Sequence, residues 1–239
     1  MPMNKPSDKD SLIDAAQNQQ QSRRNFLRYA GGAGLIAFGV SGCNKFGDYF
    51  PHHGGGNGKT IDLGKGDYGI LNYAYALEQL EAAFYTKVIA DPYHGCSGYE
   101  YKLIKDIRDH EIAHREFFKN ALSTNAIKDL EVDFKTINFN SRDSVLATAR
   151  AFEDLGVSAY NGAGKLIANP AYLTIAGKIV SVEARHAAYI RDLISDGSFA
   201  DNTVLDANGL DKSNTPPDVL AIANTYLKTK VSGNNLPTS

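Results

Sequence analysis

The sequence predicts an all-α protein built around a four-helix bundle with one long crossover between its second and third helices. Three observations predict it. Apolar residues recur at helical spacing in four successive segments after residue 66. The first and third connections are short and the second is long. Each apolar stripe is interrupted near its middle by carboxylate or imidazole side chains, which a helical core excludes unless they are paired or bound to a cation.

The first helix is expected over about Asp67–Ala90, with Ile70, Ala74, Leu77, Phe84 and Val88 on one stripe, and Asp91-Pro92 stops it. The second spans about Tyr99–Leu122 and carries Ile104, Ile107, Phe118 and Ala121. The third starts behind Ser141, a good cap, and carries Val145, Ala149, Phe152 and Ala159, with Gly162 and Gly164 blurring its end. The fourth starts near Pro170, which suits a first helical turn, and carries Ala176, Ile179, Val180, Ile190 and Leu193. A fifth, short helix follows Pro216-Pro217 through Leu220 and Leu227. The connection from about Ser123 to Asn140 is roughly 17 residues long and reaches up to about 55 Å when extended. A 24-residue helix is about 36 Å long, so one crossover can return the chain along the bundle.

The chain has 239 residues, 43% hydrophobic and 22% charged, enough for one globular domain with a sizeable core. A net charge of -2 with no basic stripe gives no basis for binding nucleic acid. Two cysteines cannot build a disulfide framework, a cysteine-rich zinc site or a four-cysteine iron centre.

The N-terminus reads as an address. Ser22-Arg23-Arg24-Asn25-Phe26-Leu27-Arg28 precedes a 12-residue apolar stretch, Tyr29–Val40. That is too short to span a bilayer, which takes about 20 residues. A basic region before a short apolar one is the layout of a signal peptide, and Arg23 and Arg24 with Phe26 and Leu27 resemble the twin-arginine export motif. Val40-Ser41-Gly42-Cys43 resembles a bacterial lipobox, with Val40 where leucine is usual. Cys43 would then be lipidated and tie the chain to a membrane without a spanning helix. Residues 1–42 are therefore expected to be a signal peptide. Residues 43–66 follow as a glycine-rich tether with a reach of roughly 25 Å. The bundle is expected over 67–196, and 197–239 form a tail without a motif. The expected location is the cell envelope, anchored on the periplasmic side or at the cell surface. His52 and His53 read as a solvated linker pair.

The interrupted stripes carry the chemistry. Glu78 and Glu81 lie between Leu77 and Phe84, and Glu111 and His114 between Ile107 and Phe118. Glu153 follows Phe152, and Glu183 and His186 lie between Val180 and Ile190. Residues three apart on a helix share a face one turn along, so each Glu-x-x-His pair can offer a bridging carboxylate and a terminal imidazole. Single glutamates from the other two helices complete a set for two metal ions. Eight Glu and six His placed at random would give about 0.2 Glu-x-x-His pairs, and this chain has two, both on expected helices. An internal repeat selects among the glutamates. Glu78-Gln79-Leu80-Glu81-Ala82-Ala83-Phe84-Tyr85 aligns with Glu153-Asp154-Leu155-Gly156-Val157-Ser158-Ala159-Tyr160. Glu78 matches Glu153, whereas Glu81 matches Gly156, so Glu78 is the ligand candidate and Glu81 an ion-paired neighbour or alternate ligand. Tyr85 matches Tyr160. These two either hydrogen-bond the carboxylates from a second shell or serve as core tyrosines.

Leu77-Glu78-Gln79-Leu80-Glu81-Ala82-Ala83-Phe84-Tyr85 and Val182-Glu183-Ala184-Arg185-His186-Ala187-Ala188 resemble the ferritin-like domain family, which includes plant desiccation-related proteins and exported bacterial members. The resemblance covers about Asp67–Ser195 and extends more distantly to rubrerythrins. It implies a ferritin-like four-helix bundle with Glu78, Glu111, His114, Glu153, Glu183 and His186 as the metal ligands. It implies activity only loosely. The expected centre holds two metal ions, iron or alternatively manganese. It reacts with dioxygen or peroxide as a ferroxidase- or peroxidase-type oxidoreductase and needs an external electron donor. The rival readings are a non-enzymatic envelope or stress-protection protein, iron storage, and a dimanganese catalase. A dimer is compatible with the sequence. His110 is expected as an exposed helix histidine, or else as a hydrogen-bond donor to the ligands, Cys96 and His94 as incidental loop residues, and Asp154 and Arg185 either orient ligands or face water.

Overall fold

The computed structural model describes residues 60–238. The expected signal peptide, Arg23, Arg24, Cys43, His52, His53 and most of the expected tether lie outside the described residues. Strand β1 (Ile61–Asp62) leads into helices α1 (Gly66–Ala90), α2 (Gly98–Leu122), α3 (Arg142–Gly164) and α4 (Pro170–Ile194). The short helix α5 (Pro216–Ala223) and strand β2 (Val231–Ser232) follow. The four long helices begin and end close to the positions the sequence predicts. Ser97 and Ser141 cap α2 and α3 by accepting from the Glu100 and Ser144 amides, and Asn169 caps α4 with Pro170 in its first turn. None of the described helices is long and apolar enough to cross a membrane.

Helices α1 and α2 pack as one pair and α3 and α4 as the other, with the long crossover Ser123–Ser141 joining them. Phe84, Phe152, Ile104, Ile190 and Leu146 lie in the core between the pairs. The stripes hold with one exception: Ala121, expected in the core, is exposed at the last turn of α2, where Leu122 is buried instead.

Helix α1 is buried on nearly every face. The crossover covers one side, held by two polar side chains that would otherwise be out of place. Asn72 Oδ1 accepts from the Ile127 amide (2.9 Å), and Gln79 Oε1 accepts from the Leu130 amide (2.7 Å). Phe134 and Phe139 pack on Phe84. The C-terminal tail closes the rest. β1 pairs in parallel with β2, and Leu63 and Leu227 are fully buried. Residues 60–66, expected in the tether, are thus part of the fold. Their backbone is engaged, with the Leu63 amide donating to the Ser232 carbonyl at 3.0 Å.

The tail also seats on α3. The Asn214 amide donates to the Ser158 carbonyl at 3.0 Å, and a Cβ on Gly162 would lie 1.7 Å from the Asn214 carbonyl oxygen. Glycine at 162 therefore admits the tail rather than ending the helix. Charged side chains fasten the bundle at its ends and along one seam. Asp67 accepts from the Ala168 and Asn169 amides, tying α1 to the turn before α4. Arg142 donates to Glu100 Oε1 and to the Leu193 carbonyl, which links α2, α3 and α4. Arg191 joins Asp154 of α3 to Asp201 and Thr203 of the tail. Asp154 therefore serves the tail and not the ligands. Arg185 bonds Ser181 on its own helix.

Candidate metal centre

Midway along the bundle, each long helix turns one carboxylate inward at the same level. Glu78 comes from α1, Glu111 from α2, Glu153 from α3 and Glu183 from α4, and none of the four has any exposed surface. One turn after Glu111 and Glu183 come His114 and His186, as the three-residue spacing requires. His114 Nδ1 lies 3.0 Å from Glu183 Oε1, 3.4 Å from Glu78 Oε2 and 3.6 Å from Glu111 Oε2. His186 Nδ1 lies 2.8 Å from Glu111 Oε1 and 3.4 Å from Glu153 Oε2. All six sequence-predicted ligand candidates meet here. They fall into two groups, Glu78–Glu111–His114–Glu183 and Glu111–Glu153–Glu183–His186, each with its donor atoms within 4.8 Å of one another. Either group could hold a metal ion.

The two tyrosines divide the carboxylates by role. Tyr85 of α1 donates to Glu153 Oε1 on α3 at 2.5 Å, and Tyr160 of α3 donates to Glu78 Oε1 on α1. Each tyrosine thus serves the glutamate of the other helix, an exchange that follows the internal repeat. Burial, and next the facing carboxylate, holds both phenols well above their usual range, so they remain donors. After these bonds, eight buried atoms of the site lack a partner in hydrogen-bond geometry: Glu78 Oε2, Glu153 Oε2, both oxygens of Glu111 and of Glu183, and Nδ1 of His114 and His186, the two nitrogens having carboxylate oxygens only at ion-pair distance. Glu78 and Glu153 each keep one free oxygen. Glu111 and Glu183, which belong to both groups, each keep two. An orphaned buried polar atom is costly, and eight in one volume fit a missing cationic partner.

Glu81 differs from the expectation of an ion-paired neighbour. Among the described residues no cationic side chain pairs with it. It lies over Gly156, where a Cβ would be 3.1 Å from Glu81 Oε1 and 3.3 Å from Glu183 Oε2. The glycine that the repeat aligns with Glu81 is thus the one that makes room for it. Burial, and then the charges of Glu183, Glu111, Glu153 and Glu78, push its carboxyl well above the usual range, so it carries a proton. His110 keeps exposed surface, as expected, and its Nδ1 also lies 2.9 Å from His186 Nε2, with the two rings edge to edge in nearly one plane. The sequence signal was present: His110 lies one turn before His114, on the flank of the ligand face.

Without a cation the carboxylates share protons. Burial raises Glu78 to about 7, Glu153 to about 8 and Glu183 to about 8. Burial also opposes ionisation of Glu111, but the neighbouring His114 and His186 outweigh it and hold that carboxyl well below its usual range. Both imidazoles are raised, the surrounding carboxylates outweighing burial.

A family model described as a ferritin-like domain matches residues 66–196, more than half of the chain. No curated protein matches the chain.

The site sets a pH dependence for metal-free protein. Glu78, Glu153 and Glu183 hold protons in the fold that the unfolded chain has released above about pH 4.5. The folded state then binds more protons, so stability falls as pH rises towards 8, by up to about 1.4 kcal/mol per pH unit for each group. His114 and His186 add a loss of the same sign above about pH 6.5, while Glu111 is ionised in both states and adds nothing in this window. Chelated protein should therefore melt at a lower temperature at pH 8 than at pH 5.5. Added divalent metal should flatten or reverse the trend, because ligation favours deprotonated carboxylates. Thermal denaturation across that range, with and without chelator, checks it.

Proposed function

We propose that this chain, which belongs to the ferritin-like domain family, is an exported, lipid-anchored protein whose buried centre holds two iron ions and reacts with dioxygen or peroxide. The observation that carries the reading is the distribution of the eight orphaned donor atoms. In this reading Glu111 and Glu183, which belong to both groups, would serve both ions, with Glu78 and His114 completing one ligand set and Glu153 and His186 the other. Four ionised carboxylates balance two divalent cations, so the loaded centre is close to neutral. Manganese suits the same donors and is the alternative metal.

Bound iron would supply one-electron chemistry towards oxygen species. The chain's own residues do the rest. Tyr85 and Tyr160 pin the outer carboxylates so that one oxygen of each faces inward. Phe84, Phe152, Leu77 and Ile107 close the surroundings to water. Glu81 places a buried carboxyl next to Glu183, where it could hold or move a proton.

Electrons come from outside in this reading. Cys43 is acylated, which leaves Cys96 alone, and the sequence has no Cys-x-x-Cys-His haem attachment segment. Purified protein should carry about two metal ions per chain. After anaerobic reduction it should react once with stoichiometric peroxide or dioxygen and then stay oxidised. Turnover should resume with ferrous iron or a partner redox protein. Sustained peroxide consumption without a donor would contradict the reading, and oxygen evolution would identify dimanganese catalase chemistry instead. The anchor rests on the sequence around Cys43. Cys43→Ala should release the protein from membranes, and unchanged fractionation of that variant would rule the anchor out.

A further inference from the structure

Outside the ligand set, one polar contact breaks the symmetry of the centre. His110 Nδ1 lies 2.9 Å from His186 Nε2, and the two rings lie edge to edge in nearly one plane, with centroids 5.1 Å apart and planes 9° from parallel. Among the described residues no protein group hydrogen-bonds His114 in the same way. The rest of the surroundings is matched. Glu153 has Tyr85 where Glu78 has Tyr160, and each half shares Glu111 and Glu183. The repeat shows where the match fails. His110-Glu111-Ile112-Ala113-His114 on α2 aligns with Val182-Glu183-Ala184-Arg185-His186 on α4. The position that gives His186 its partner is a valine in the other half, and valine cannot hydrogen-bond.

We propose that His110 is a positioning residue that fixes the ring orientation and tautomer of His186, so that the Glu153/His186 half of the centre fills with metal before the Glu78/His114 half. The proposal rests on the two-ion reading above. A ligand imidazole presents a lone pair from the nitrogen that faces the ion, here Nδ1, which faces Glu111 Oε1 and Glu153 Oε2. Its proton is then on Nε2 and is donated to His110 Nδ1. Turning the ring over would lose that bond, so His186 is held in the ligating arrangement before metal arrives. His114 has no such bond to hold its ring among the described residues. Its Nδ1 sits among three carboxylate oxygens at 3.0–3.6 Å, and its side chain is 13% exposed against 6% for His186. Outer-shell partners of this kind change metal affinity by about 10–100-fold.

The test is titration of the metal-free full chain with manganese(II) alone, followed by calorimetry and by electron paramagnetic resonance. Wild-type protein should bind in two steps separated by about 10–100-fold, with an isolated-ion signal at the first equivalent and a coupled-pair signal at the second. His110→Ala should weaken the first step by a similar factor and leave the second close to its original value. His110→Gln offers an amide oxygen to the His186 Nε2 proton and should restore much of the first step. Circular dichroism should be unchanged in both variants. Two ions bound to His110→Ala with wild-type affinities would overturn the inference alone, as would equal impairment of the Ala and Gln variants. Wild-type protein that takes up no manganese would overturn the two-ion reading, and this inference with it.

Discussion

Five carboxyl groups and two imidazoles meet in the buried middle of the bundle, and the rest of the fold is arranged around that encounter. Two like charges 4 Å apart repel by about 4 kcal/mol at an effective dielectric constant of about 20. Several such pairs would together cancel the roughly 5–15 kcal/mol that stabilises an ordinary domain. Four anions therefore cannot share this site unaided. They are neutralised by protons or by cations. The donor geometry favours cations: atoms arranged for carboxylic acid dimers would be hydrogen-bonded to one another, whereas here six carboxyl oxygens bond no other carboxyl group and converge with the two imidazole nitrogens.

Holding such a site demands a rigid frame, and the frame is unusually complete on α1. Crossover and tail wrap that helix, so Glu78 and Glu81 project from a segment packed on nearly all sides. The reciprocal tyrosine bonds then lock α1 to α3 at the level of the site. Asp67, Arg142 and Arg191 fix the helices elsewhere along their length. Replacing either tyrosine by phenylalanine would free an outer carboxylate while leaving the packing intact, which separates the role of these bonds from that of the core.

Much of this was legible in the sequence. The four helices follow from the 3.6-residue period and from Ser141, Pro170 and Asp91-Pro92 at their ends. The six converging residues follow from two Glu-x-x-His pairs and one repeat. What was not legible depends on partners distant in the chain. That Tyr85 bonds Glu153 rather than Glu78 is decided by how α1 and α3 face each other. That Ile61 to Leu63 belong to the fold is decided by a two-residue pairing with Val231 and Ser232, too short to leave a pattern. One clue was present: Leu71, Tyr73, Tyr75, Ala76 and Leu80 lie off the expected stripe of α1, and a helix apolar on all sides must be covered on all sides. The tail, which carries no motif, supplies part of that cover. Gly162 reads locally as a helix end, yet it serves the close approach of Asn214.

If the orphaned donors are ligands, Glu111 and Glu183 serve two ions at once. Anomalous diffraction from crystals grown with manganese or ferrous iron, recorded at the absorption edge of the metal, tests it most directly. Two peaks are expected about 3.5–4 Å apart, one against Glu78 and His114, the other against Glu153 and His186, with Glu111 and Glu183 in contact with both. No peak at this level of the bundle, or carboxyl groups paired to one another by hydrogen bonds in metal-soaked crystals, would contradict it.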